Sequence, residues 1–439
     1  MVMKIHIFTP LEKKNRRLWR GEKNNKCVLV LKPRPHFLMG FSLVLLLCVC
    51  QTACSQNVKL EEGKLTALML CQAQFKQVKG EDGKEHPVPG AAKLILVYPT
   101  SKGWKSESIE DPESNVFHKA TPFENGFLTI GANAAALKLW SKVGKTWQAK
   151  TLWKTSFGGE QNRLRDIEIG DVTGDGRDDL VIATHDQGVV AVLQSKGDMW
   201  EVTELNRSPQ TFVHEIELGD VNGDGIKEFF ATPSAPNKVD GTPQPGKILM
   251  FRYNGKSFDR YVIEEFPKRH VKEILVADVD LSGCPDLFAV LEAEMTQVGG
   301  EQQIVDMVKI KRYHYEKGKF VGSIIESLPD VFCRFLNYGD VDGDGKIDLI
   351  ASTFKSGIWV LKSDKNAWHK ELIDKDSSGF EHATLLFDLD KDGLSEIYVA
   401  ADDQGVLRRY HWDRKKFKRE KLFSLPEGNI TFNLTALKL

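Results

Sequence analysis

Asp171-Val172-Thr173-Gly174-Asp175-Gly176-Arg177-Asp178-Asp179 begins where the alternating run Ile167-Glu168-Ile169-Gly170 stops and ends where the apolar run Leu180-Val181-Ile182-Ala183 starts. It therefore reads as a loop between two strands. Oxygen side chains fall at loop positions 1, 3, 5 and 9 (Asp171, Thr173, Asp175, Asp179), and Gly176 at position 6 permits the sharp turn that aims them at one hard cation. Calcium is the natural choice.

One such stretch would read equally well as an ordinary Asp-Gly turn. The pattern recurs, however, in Asp220, Asn222, Asp224 and Glu228 around Gly225, and in Asp278, Asp280, Ser282 and Asp286 around Gly283. Asp340, Asp342, Asp344 and Asp348 around Gly345, then Asp388, Asp390, Asp392 and Glu396 around Gly393, complete five copies. An EF-hand shares the early ligand spacing but needs flanking helices and a bidentate Glu at position 12. Here position 12 is Ile182, Ala231, Ala289, Ala351 and Val399, and the flanks read as strands.

These loops resemble the FG-GAP or VCBS repeats of integrin α-subunit heads and many bacterial surface proteins, over roughly residues 160–425. The resemblance implies an all-β propeller with one calcium loop per blade and up to five structural calcium ions. It leaves function open, since the family includes adhesins, lectins, polysaccharide lyases and sugar dehydratases.

The loop starts are separated by 49, 58, 62 and 48 residues, the spacing of four-stranded blades with insertions. Two further units lack the acidic loop. Thr121 to Ile130 leads into Ala135 to Trp140 with the loop cut to a tight turn, and Leu65 to Gln77 with Ala92 to Tyr98 forms an earlier degenerate blade. Seven blades are expected, spanning 55–439, with degenerate blades at about 60–155 and a strand at about 430–437 that pairs with the first blade to close the ring. Six blades is the alternative if the first unit is only a cap. An open solenoid would need polar capping repeats at both ends, and this chain ends in an apolar-alternating strand.

Residues 1–54 read as an export signal: a basic stretch with Lys13, Lys14, Arg16, Arg17 and Arg20, a short apolar run from Phe37 to Cys50, then Ala53-Cys54-Ser55. Cys54 after Ala53 resembles a bacterial lipobox, although Gln51 stands where an aliphatic residue is usual; cleavage after Ser55 is the plain secretory alternative. The first reading places a lipid-anchored protein in the bacterial cell envelope, the second a secreted one. Cys71, Cys284 and Cys333 remain after the signal and show no paired spacing, so no disulfide framework is expected. A formal net charge of −1 gives no electrostatic argument for nucleic acid.

Six residues before each loop's first Asp stand Arg165, His214, Lys272, Arg334 and His382, and the same step back from Glu124 reaches His118. By the propeller's symmetry these form a ring around one mouth of the central channel, on the face opposite the acidic loops. Such a ring suits an anionic or polyhydroxylated ligand, with Arg and Lys countering carboxylate or sulfate and His able to act as acid or base. The alternative is that these side chains cap strand ends and pair with Asp166, Glu215, Glu273 and Glu381. The same face carries two insertions, Ser234–Gly246 and Glu292–Gln303, where binding specificity commonly resides. Trp140, Trp147, Trp153, Trp200, Trp359, Trp368 and Trp412 recur on outer strands and read mainly as packing. No nucleophile elbow, phosphate loop, zinc-spaced cluster or nucleotide fingerprint is present. Two functions are consistent with the sequence: an envelope-anchored module binding a glycan or surface protein, or a lyase or dehydratase acting on a carbohydrate. The second would use His214 and His382 as acid or base and Arg165 and Arg334 to neutralise a uronate.

Overall fold

The computed structural model describes residues 65–439 apart from 82, 160–161, 198, 237–243 and 365–366. Residues 1–54, read from the sequence as an export signal, and Cys54 with them, lie outside the described residues. Seven four-stranded antiparallel sheets follow one another as blades. Blades two, three, four, six and seven each use four consecutive strands, at 117–155, 164–206, 212–266, 333–374 and 384–424. Blade five, at 271–328, interrupts its sheet with a hairpin, Glu294–Val298 and Glu301–Asp306. Blade one takes its innermost strand from the chain's other end: Ile430–Lys438 pairs with Thr66–Ala73, which pairs with Ala92–Thr100 and then Gly103–Asp111. The ring is thus closed by the final strand, with seven blades rather than six.

The reason for closure lies in the second strands. Asp179–Thr184, Glu228–Ser234, Asp286–Leu291, Asp348–Thr353 and Glu396–Ala401 are buried along their whole length. Each blade packs against a neighbour on both sides, which is why these strands read as continuous apolar runs. Seven apolar clusters fill the seven blade junctions. Leu128, Ile130 and Leu137 of blade two meet Leu164, Leu180 and Ile182 of blade three, and Leu68, Ile95 and Val97 of blade one meet Tyr398, Ala400 and Leu407 of blade seven. A missing blade would leave two such faces in water, at about 25 cal/mol per Å² of apolar surface.

The five acidic loops connect innermost to second strands. Their position-6 glycines have φ between 79° and 94°, the left-handed region the turn requires. In blade two the connection shrinks to Glu124-Asn125, and a Cβ on the following Gly126 would lie 1.9 Å from the Trp140 carbonyl oxygen. The degenerate first blade forms from the expected stretches, but only part of Leu65 to Gln77 belongs to it. The strand ends at Ala73, and Phe75–Lys79 pairs with Glu85–Pro89 in a hairpin outside the seven sheets, exposed along both strands. Its alternation continues that of the preceding strand, so periodicity alone does not mark the break. Cys71, Cys284 and Cys333 are free.

Candidate functional site

Five of the six residues counted back from the loops converge, and strand register explains how. In the pairing of innermost with second strands one extra residue intrudes at His118, Arg165, Lys272 and Arg334, and in blade four His214 and Glu215 together face Thr232. Such a bulge leaves its residue outside the ladder and re-aims the side chain. Blade one repeats the bulge at Phe432, which a search for polar residues overlooks. Blade seven departs. His382 has φ +59°, its strand starts only at Thr384, and Glu381 rather than His382 lines the mouth. His382 is fully buried, between Ser377 Oγ at 2.8 Å and the Thr353 carbonyl oxygen at 2.7 Å.

The converging side chains line a cavity of about 30 Å³. That is room for water, a small ion or one anionic group, not a whole sugar residue. Glu381 binds Arg334 Nη1 at 2.7 Å and lies 3.5 Å from Arg165 Nη2. Glu292, from the start of the blade-five insertion, lies 3.5 Å from Lys272 Nζ and accepts from His270 Nδ1 at 3.1 Å. Burial alone would raise the Glu292 carboxyl, but Lys272, His270 and Arg334 overcome it and hold the pKa at about 2. Burial lowers Lys272 to about 8, Arg334 adding to the shift and Glu292 opposing it. The Arg334 guanidinium lies 4.5 Å from the rings of both Phe332 and Phe380, which meet each other edge-to-face at 5.9 Å, and Phe380 is 40% exposed.

His214 is the centre of the electrostatics. Burial, with Lys272 and Arg165 nearby, pushes its pKa well below the ordinary value, so the ring is neutral at pH 7. Arg165 Nε donates to Nδ1 at 3.4 Å, which leaves the ring proton on Nε2. That Nε2 is buried and has no hydrogen-bond partner among the described residues. A buried donor without an acceptor costs about 1–3 kcal/mol, so the site calls for one. His118 is held neutral by burial, donating from Nδ1 to the Leu164 carbonyl at 2.7 Å.

One residue deeper, the sign reverses. Lys119 pairs with Asp166 at 2.8 Å and with Glu168, and lies 4.0 Å from Glu215. Asp166 also accepts from the Ile167 and Ile216 backbone at 2.8 and 2.6 Å, and Glu273 accepts from Leu336 N at 2.8 Å. Burial and mutual repulsion push Glu215, Glu217 and Glu273 well above the usual carboxylate range. The strand-capping reading of these acids is therefore right for Glu381 alone among those paired with the ring cations; Asp166 serves Lys119 and Glu273 a backbone amide. Below the mouth therefore lies a tier of buried carboxyls held toward their neutral form around Lys119.

On the opposite face, each loop's first Asp accepts backbone N–H groups from its own turn, as Asp340 does from Gly343 at 2.7 Å and Gly345 at 2.9 Å. Position 9 accepts from position 2 in Asp179, Glu228 and Glu396, at 3.2, 3.1 and 2.9 Å. Asp340, Asp342 and Asp348 present oxygens within 4.8 Å of one another, as do Asp388, Asp390 and Asp392. Asp348 Oδ2 is buried without a hydrogen-bond partner among the described residues, an orphan that a cation in this loop would satisfy. Sequence reasoning missed the third-strand side chains that reach these loops: Gln194, Arg252, Arg312, Lys362 and Arg409.

Among the tryptophans, Trp140 stacks on Phe127, Trp153 packs on Phe157 and Trp412 on Phe417, all away from the mouth residues.

Residues 171–231 match the FG-GAP-like repeat family. No curated protein matches the chain. Solved propellers share the architecture at low identity. A candidate 6-phosphogluconolactonase from Bacteroides fragilis NCTC 9343 is 14% identical at a TM-score of 0.51, covering 86% of this chain and 99% of its own. The periplasmic gluconolactonase of Pseudomonas aeruginosa is 13% identical at 0.52, covering 85% and 99%. A second candidate 6-phosphogluconolactonase, from Bacteroides uniformis ATCC 8492, is 12% identical at 0.53, covering 85% and 100%. At such identities the likeness carries fold alone. The chain is a seven-bladed β-propeller in which residues 171–231 match the FG-GAP-like repeat.

Proposed function

We propose that the protein is a binding module that captures an acidic glycan, taking a uronate carboxylate or a sulfate into the cationic mouth. The observation that carries this reading is the orphaned His214 Nε2–H beside Arg165, Lys272 and Arg334. These are one neutral donor and three cations whose carboxylate partners, Glu381 and Glu292, offset two of the three charges and leave one net positive charge for a single group of anionic oxygens. The small cavity admits that group and leaves the sugar ring outside, where the exposed face of Phe380 offers an apolar surface against which it can stack.

The carbohydrate-enzyme alternative pairs His214 with His382 as acid and base. His382 is buried in its own hydrogen bonds away from the cavity, and His214 is too weakly basic at pH 7 to accept a proton readily. Binding is therefore favoured over turnover. Calcium is assigned to the loops of blades six and seven, where it would brace the fold through Asp340, Asp342, Asp348, Asp388, Asp390 and Asp392. Export through residues 1–54, with Cys54 lipidated or the chain secreted, would bring the mouth to extracellular or envelope glycans.

Isothermal titration with an oligouronate, and with the same chain after its carboxylates are reduced to alcohols, tests the reading. Binding of the acidic form alone is expected; equal binding of both overturns it. Mass spectrometry of the incubated oligouronate should show it intact, and unsaturated products that vanish in His214→Ala would restore the enzyme alternative.

A further inference from the structure

The five loops share a sequence pattern but not a charge environment, and blade five differs most. Its Arg312, on the third strand, binds Asp280 at loop position 3 (2.7 Å) and Asp286 at position 9. His314, two residues on and on the same strand face, reaches Asp286 Oδ1 at 2.8 Å. Both oxygens of Asp286 are thus engaged, by groups that would have to withdraw before an ion could use them. Position 5 is Ser282, not a carboxylate, and its hydroxyl is turned to Asp278 Oδ1 and the Cys284 carbonyl oxygen, each 3.2 Å away. Among the described residues no set of three converging acidic groups forms in this loop, nor in those of blades three and four, whereas blades six and seven each provide one.

We propose that Arg312 is a resident cation that replaces calcium in the blade-five loop, making this repeat a metal-independent version of the others. The guanidinium fork spans two carboxylates as a metal would, and it is part of the chain, so it suffers no loss of translational freedom on binding. Asp286 is almost fully buried, and removing its partner in favour of a free ion would first expose an uncompensated buried charge. In blade seven Arg409 also reaches positions 3 and 9, Asp390 at 3.5 Å and Glu396 at 3.1 Å, but position 5 there is Asp392 and three acidic groups still converge, whereas blade five has Ser282 at position 5 and a second basic group, His314, on Asp286. Blade four stands part-way: Arg252 engages Glu228 at 2.7 Å but leaves Asp220 and Asp224 to their turn. The proposal concerns the loop face and stands independently of the glycan reading.

Calcium stoichiometry of the full chain, by equilibrium dialysis with radioactive calcium, provides the test. Asp286→Asn should bind as many ions as the unsubstituted protein, while Asp348→Asn in blade six should bind one fewer. Arg312→Gln should gain one ion per chain, and its melting temperature should become more sensitive to EDTA than that of the unsubstituted protein. Loss of an ion in Asp286→Asn overturns the proposal whatever the folding of the Arg312 variant. So does an Arg312→Gln protein that folds and binds no additional calcium.

Discussion

Each innermost strand begins on one face of the disc with a residue such as Arg165, His214, Lys272 or Arg334, and ends a few residues later on the other face in a loop led by Asp171, Asp220, Asp278, Asp340 or Asp388. The cations point inward and meet at the axis; the acidic loops stand apart, one per blade. Convergence makes the mouth a single site whose charges depend on one another. Separation makes the loops independent local braces. Repetition in the sequence therefore reports fold at the loops, whereas at the mouth non-identical residues from separate blades share one cavity.

The sharpest way to break the comparison is to remove a charge from each face. Arg334→Gln leaves Glu381 with only Arg165, at 3.5 Å, and Glu292 with less compensation, Arg334 and Glu381 being almost fully buried. Breaking such a pair costs about 3–5 kcal/mol, so chemical denaturation should show a large loss of stability. The exposed pair Lys346–Asp344 in a loop should change stability by less than about 1 kcal/mol on Lys346→Gln. Equal losses would mean that the mouth is no more cooperative than a loop.

Calcium removal comes next in size. A ligand held at about 100 times its Kd stabilises by about 2.7 kcal/mol, so EDTA should lower the melting temperature clearly. Asp348→Asn should shrink that EDTA effect. An unchanged melt in EDTA would contradict calcium in these loops.

The pH dependence separates binding from folding at Lys272. Its amine is held at about 8, below the ordinary 10.5, so it loses its charge between pH 7 and 9. Anion affinity should fall over that window by up to roughly tenfold, following the protonated fraction. Fold stability from this group runs the opposite way: a depressed folded pKa gives a contribution that grows as pH rises from about 8 toward 10.5. A binding profile that is flat from pH 7 to 9, read by titration calorimetry, would remove Lys272 from the site.

The smallest effect is expected in the channel. Glu217 is held well above the usual carboxylate range by burial and by Glu168 and Asp166, so its ionisation at pH 7 weakens the fold, a penalty absent at low pH. Glu217→Gln should raise the melting temperature by a few degrees at pH 7 and change it little at pH 4.

Most of the fold was legible because its signals are local. Loop spacing fixed five blades, the Thr121–Ile130 turn a sixth, and the alternation of Ile430 to Leu437 the closing strand. The hairpin Phe75–Pro89 was not separable, since its strands continue the same alternation as the blade strand before them. At the mouth, counting back from each loop located five of the six ring residues. It failed in blade seven because the left-handed backbone at His382 ends the register on which counting relies. Glu292, Phe432 and Phe380 could not be found that way: they reach the site from an insertion, from the chain's far end and from the link before an innermost strand, and only the closed ring brings them together. Arg312 was hidden because its partners Asp280 and Asp286 lie 32 and 26 residues before it.

The measurement that tests the central claim most directly is calorimetric titration of an oligouronate into three proteins: the unsubstituted chain, Lys272→Gln at the mouth and Asp344→Asn at a loop. The account predicts that Lys272→Gln weakens binding by tenfold or more while Asp344→Asn binds as the unsubstituted chain does. Equal affinity in Lys272→Gln, or a loss confined to Asp344→Asn, would place the ligand on the loop face and contradict it.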